Sequence, residues 1–135
     1  MYIPSSGAER GGIMTRILIV DDDENISALY EEELKEDNYE VAVASNGKES
    51  LEMLKTFEPD LIVMDIRMPE MDGIEALGKI IAMHKSVPII LNSAYSSYKD
   101  DFRSWGADAY VVKSSDTGVL KEKIKEILER AEQGK

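Results

Sequence analysis

The sequence predicts an α/β domain built on a five-stranded parallel sheet with helices on both faces. Three observations lead there. Five short runs rich in Val, Ile and Leu alternate with stretches of helical spacing, and brief, almost wholly apolar runs are the mark of strands buried on both faces. The chain has 135 residues, 43% of them apolar, which suits one globular domain with one core. Four of the runs end just before Asp, Asn or Lys, so polar chemistry gathers where strands stop.

Residues 1–13 mix Gly, Ser and Pro without apolar period and are expected to form a flexible tail. Met14 directly precedes the first run and is a candidate natural start. The folded domain is expected over 14–131, with a short tail at 132–135. The runs are Arg16 to Val20, Tyr39 to Ala44, Leu61 to Met64, Pro88 to Leu91 and Ala109 to Val112. Between the first two, Ile26, Leu29, Tyr30 and Leu34 share a helical face; Ile74, Leu77, Ile80 and Ile81 share another, and Leu120, Ile124, Ile127, Leu128 and Ala131 line the last helix. Asn46 or Ser45 can cap the second helix, Gly106 stands where a short fourth helix ends, and Asp116 or Thr117 can open the last one. Strand and helix alternating five times, with right-handed crossovers, favour the flavodoxin-like strand order 2-1-3-4-5.

Composition excludes several classes. With no cysteine, a disulfide framework and a thiolate metal site are ruled out, which fits a cytoplasmic location. No apolar run approaches the ~20 residues that span a bilayer. A net charge of -11 repels nucleic acid, whose binding depends on Lys and Arg.

In such a sheet, sites form beyond the carboxyl ends of the strands. The first run leads into Asp21, Asp22 and Asp23, the third into Asp65, the fourth into Asn92 and Ser93, and the fifth into Lys113. Crowded carboxylates repel one another, and a divalent cation removes that cost. Hard oxygen ligands without His or Cys suit Mg2+. A lysine and a hydroxyl at the same edge can hold the other oxygens of a phosphoryl group, and a carboxylate is a covalent acceptor for one.

The segments RILIVDDDENI, LIVMDIRMPEMDG, LNSA and AYVVK together resemble the receiver domains of bacterial two-component response regulators, in the single-domain, chemotaxis-regulator-like form. The resemblance runs from about Thr15 to about Ala131. It implies that Asp65 is the phosphoacceptor and that Asp21, Asp22 and Asp65 hold Mg2+ with the backbone carbonyl of Arg67. It further implies that Ser93 and Lys113 grip the phosphoryl group and that Tyr110 is the aromatic switch. Arg67 and Tyr95 flank the phosphoryl position. The implied donor is a histidine kinase or phosphotransfer protein. The implied output is a downstream protein, or a second copy, at the face of the fourth helix, fifth strand and last helix. The chain would then be a regulatory phosphoacceptor, not an enzyme acting on other substrates. One departure stands out. The family usually has Pro after this lysine, often cis, and here it is Ser114, so the loop is either cis with Lys113 in place or trans with Lys113 displaced.

Plainer readings compete. Asp23 and Glu24 suit any helix start, Met64, Met68 and Met71 suit packing, and Trp105 is expected to pack partly against its own helix. His84 is expected at the surface. A degenerate receiver that binds proteins without phosphorylation is the main rival. An aspartyl-phosphate phosphatase would need a second acid two residues after Asp65, where Arg67 stands. A flavin or nucleotide binder would need a Gly- or Ser/Thr-rich loop where this chain has three aspartates.

Overall fold

The computed structural model describes residues 9–10, 13–66, 73–83, 86–94 and 105–133. Five strands form one parallel sheet: β1 (Arg16–Val20), β2 (Glu40–Ala44), β3 (Leu61–Met64), β4 (Ile89–Ser93) and β5 (Ala109–Val112). Their spatial order is β2-β1-β3-β4-β5, the flavodoxin-like arrangement. Four helices lie among the described residues: α1 (Glu24–Glu36), α2 (Gly47–Phe57), α3 (Gly73–Met83) and α4 (Gly118–Gln133). The short helix expected between β4 and β5 falls at 95–104, outside the described residues, as do His84, Met68, Met71 and Tyr95. Ahead of the sheet, Glu9–Arg10 pairs antiparallel with Ile13–Met14.

Side chains alternate across the sheet, which splits the core into two layers. Ile17, Ile19, Val63, Ile90 and Val111 face Tyr30, Leu34, Leu120, Ile124 and Ile127 of α1 and α4. Leu18, Val20, Ile62, Met64 and Leu91 face Leu54, Ala76, Leu77 and Ile80 of α2 and α3. The period of two along each strand thus feeds both layers at once. Met64 is core, as its run predicts, and Trp105 is half-buried against the second layer. Ile74 departs from its expected place. It lies in the first turn of α3 and is 39% exposed, so the buried face runs through Ala76, Leu77 and Ile80 instead.

Caps account for the element ends. Asp23 Oδ1 accepts from the backbone N–H groups of Asn25 and Ile26 and closes the start of α1. Asn46, rather than Ser45, caps α2, accepting from Glu49 N–H at 2.7 Å, while the Glu49 carboxylate takes the Ser45 N–H in return. Asn38 and Glu58 sit at positive φ just after α1 and α2, where such helices commonly turn left-handed. Gly106 has φ +95, and a Cβ there would fall 2.5 Å from Ile81 Cδ1. The isoleucine can shift, but the backbone conformation still favours glycine. β4 runs two residues further than its apolar run, so Asn92 and Ser93 remain in the sheet, in register with Val111 and Val112.

Burial holds the Tyr39 hydroxyl above the ordinary tyrosine value of 10.0, with the carboxylates of Asp37 and Glu129 adding to the effect. The unfolded chain therefore loses this proton first. The contribution to stability is complete below about pH 10 and declines as pH rises through the folded value. Tyr39→Phe is expected to make the loss of stability above pH ~10 shallower in urea melts taken along a pH series. An unaltered slope would show that other groups govern alkaline unfolding.

Candidate functional site

Ladder geometry brings the polar strand ends together. The backbone N–H of Asp21 donates to Ala44 O at 3.0 Å, that of Asp65 to Val20 O at 2.8 Å, and that of Lys113 to Ser93 O at 2.8 Å. Each residue is thus pinned by the strand beside its own before its side chain makes any contact. Asp21 and Asp65 are nearly buried, at 4% and 6% exposed, while Asp22 faces solvent.

Lys113 joins the cluster. Its Nζ lies 2.7 Å from Asp21 Oδ2 and 3.0 Å from Asp65 Oδ2. No cis peptide bond occurs among the described residues, so Lys113–Ser114 is trans. Of the two combinations left open by the sequence, a cis bond with Lys113 in place or a trans bond with it displaced, neither holds: the bond is trans and the lysine still reaches both carboxylates.

The electrostatics follow from burial and pairing. Burial holds the Asp21 carboxyl above its ordinary value of 3.8; hydrogen bonds from Lys113 and the Asp23 N–H pull the other way without overcoming it. For Lys113, burial works to lower the value, but hydrogen bonds to Asp21 and Asp65 outweigh it and the ammonium is held above 10.5. The two shifts have different causes: burial raises Asp21, while pairing with two carboxylates keeps Lys113 firmly charged.

Asp21, Asp22 and Asp65 each present a carboxylate oxygen, all within 4.8 Å of one another. Unit charges ~5 Å apart repel by about 3 kcal/mol at an effective dielectric near 20, and one ammonium against three carboxylates leaves a net negative site. This donor set, all hard oxygen with one member open to solvent, fits a divalent cation that keeps water ligands. Arg67, expected to lend its carbonyl, lies outside the described residues. Ser93 is buried at the end of β4, beside the Asp65 strand, and Tyr110 is buried on β5.

Two groups of polar contacts are not evident in the sequence. Tyr30 O–H donates to Asn92 Oδ1 at 2.8 Å, and Asn92 Nδ2 donates to Val111 O at 2.8 Å. Thr117 Oγ1 donates to Glu33 Oε1 at 2.9 Å, and Lys121 reaches both Glu33 and Asp37, bracing α4 against α1. The available signal was a hydroxyl on the core face of the first helix and an amide at the end of an apolar strand, since buried polar groups need partners.

Comparison with known proteins agrees with this architecture. Residues 17–125 match the response regulator receiver domain family. The transcriptional regulatory protein PrrA of Mycobacterium bovis is 37% identical over 124 residues, spanning 90% of this chain and 53% of that protein. The alkaline phosphatase synthesis transcriptional regulatory protein PhoP of Bacillus subtilis is 35% identical, spanning 87% of this chain and 50% of that protein. The chain thus spans about half the length of these curated relatives. Among solved structures, the response regulator TrrA of Thermotoga maritima in complex with Mg(2+)-BeF is 48% identical, with a TM-score of 0.79 over 84% of this chain and 98% of that one. The same protein in complex with the histidine kinase ThkA superposes with a TM-score of 0.78, over 85% of this chain and 99% of that one. A CheY-like receiver domain protein of Methanospirillum hungatei is 34% identical, with a TM-score of 0.84 over 90% of this chain and 98% of that one. With residues 17–125 of its 135 matched to the family and the acidic edge in place, the chain belongs to the receiver domains of two-component response regulators.

Proposed function

We propose that this receiver domain is a phosphorylation-driven switch whose acceptor is Asp65. The observation that carries the reading is the Asp65 carboxylate at the strand edge, 3.0 Å from Lys113 Nζ and grouped with Asp21 and Asp22. The Asp65 carboxylate attacks the phosphorus of a phosphohistidine. The acyl phosphate bond forms, the phosphorus–nitrogen bond breaks, and the histidine nitrogen leaves with its electron pair and takes a proton. Lys113 then pairs with a phosphoryl oxygen, and the Ser93 hydroxyl donates to another. Hydrolysis returns the carboxylate, so the domain carries out only its own phosphorylation and dephosphorylation.

Asp21, Asp22 and Asp65, with the Arg67 carbonyl, would hold Mg2+, which neutralises charge on the transferring group when bound. The complex of TrrA with Mg(2+)-BeF supports that ion, and the complex of TrrA with ThkA supports a histidine kinase as donor. Phosphorylation biases two states of Ser93 and Tyr110 and so changes the affinity of the surface around β5 and α4 for a downstream protein or a second copy. No helix among the described residues is long and apolar enough to cross a membrane; a cytoplasmic location is part of the proposal.

Incubation with acetyl phosphate and Mg2+ should add one phosphoryl group by intact mass, labile to hydroxylamine and lost with EDTA or in Asp65→Asn. No adduct from acetyl phosphate or from a panel of phosphorylated histidine kinases would leave a protein-binding module independent of phosphorylation. Mg2+ affinity, measured by calorimetry, should weaken on acidification at higher pH than an ordinary carboxylate site, because burial raises Asp21 and its protonated form is a poor ligand. In the metal-free protein the sign is opposite. A carboxyl raised on folding favours the folded state at low pH, and that contribution is lost as pH rises through its folded value. Lys113→Ala should cost about 3 kcal/mol in urea unfolding, since it strands two buried carboxylates, and adding Asp65→Asn should recover part of the loss. Strict additivity of the two changes would show that the bridge contributes nothing.

A further inference from the structure

Asn92 is a buried amide beside a layer of aliphatic and aromatic side chains. It is 1% exposed, on the same strand face as Ile90. Such a group is tolerated only when its hydrogen bonds are satisfied. Tyr30, 2% exposed, approaches from α1 and donates to Oδ1 at 2.8 Å, and Nδ2 donates to the Val111 carbonyl at 2.8 Å. One short chain of hydrogen bonds therefore ties α1 to β4 and β4 to β5.

Its position gives it a role. Asn92 directly precedes Ser93, and Val111 lies two residues before Lys113. The Lys113 N–H donates back to Ser93 O at 2.8 Å, so the two strand ends close a loop around the tie. The next residue, Ser114, stands where the family usually has proline, and it has a backbone N–H that proline lacks. Tyr30 and Ser114 line the same hollow beside β5. Ser114 to Asp116 are exposed, and their own bonds, Asp116 N–H to Ser114 Oγ and Gly118 N–H to Asp116 Oδ1, run onward toward α4 rather than back to Lys113.

Resting on the phosphoacceptor reading above, we infer that Tyr30 and Asn92 are positioning residues for phosphoryl transfer: their buried hydrogen-bond chain sets the ends of β4 and β5, and with them Ser93 and Lys113, in a loop that lacks the usual proline. Neither residue touches the phosphoryl group. Both act through the backbone that carries the groups that do.

The test separates positioning from stability. Phosphorylation by acetyl phosphate at saturating Mg2+ is followed by intact mass over a range of donor concentrations in wild type, Tyr30→Phe, and the double variant Tyr30→Phe with Asn92→Leu. The single variant leaves an amide oxygen unpaired and should melt at lower temperature. The double variant replaces both partners with apolar groups and should recover most of that loss. In both, the maximal rate should fall about ten-fold, as sub-ångström displacement of a reacting group commonly does. The Mg2+ dissociation constant should stay within about two-fold, because its carboxylates are carried by β1 and β3. Wild-type maximal rate in the refolded double variant would overturn the inference and leave the pair with a structural role alone. If wild type forms no adduct with any donor, the phosphoacceptor reading fails, and the inference fails with it.

Discussion

One ammonium between two carboxylates organises the upper edge of this molecule. Lys113 follows β5, Asp65 follows β3 and Asp21 follows β1; β1 and β3 are neighbours, and β4 lies between β3 and β5. The bridge therefore spans the sheet across its middle, where backbone ladders alone would hold strands only in adjacent pairs. It also leaves a deficit. Asp22 adds a third negative group, and a single cation cannot answer all three. The site is built short of positive charge, and a metal ion is the chemical species suited to supply it.

The remainder of the fold can be read as the support for that deficit. Parallel strands with helices on both faces place the carboxyl end of every strand at one edge. The layer beneath α1 and α4 includes the Tyr30–Asn92 pair, and the same two helices are braced outside by Glu33, Asp37, Thr117 and Lys121. These polar bonds lie on the side that carries the Lys113 loop. Apolar packing alone is tolerant of small slides, whereas a chain of directional bonds fixes register.

Much of this was legible in the sequence, for identifiable reasons. The bounds of β1, β3 and β5 were readable because charged or turn-forming residues flank a purely apolar run, and the convergence of Asp21, Asp22, Asp65 and Lys113 followed from parallel topology. β4 ended two residues late because burial of Asn92 and Ser93 depends on partners 19 positions away in the chain, such as Val111 for Asn92, which no local pattern reveals. Ile74 had the right spacing for the core but sits in the first turn of its helix, where period alone does not guarantee cover. The geometry at Lys113 was closed to sequence reasoning for a different cause. Replacing proline by Ser114 removes a local constraint, and the compensation comes from α1, more than eighty residues earlier in the chain.

The three successive aspartates after β1 point three different ways. Asp21 turns inward to Lys113, Asp22 outward to solvent, and Asp23 downward to the first turn of α1, while the Asp23 N–H donates to Asp21 Oδ1 at 2.9 Å. Strand, binding edge and helix cap are packed into three consecutive positions with no spacer residue. Such a tract constrains length as tightly as composition. Adding or deleting one residue would leave three acidic side chains in place yet rotate each into its neighbour's task, so a variant of unchanged charge and nearly unchanged sequence would lose the helix start and the inward carboxylate together.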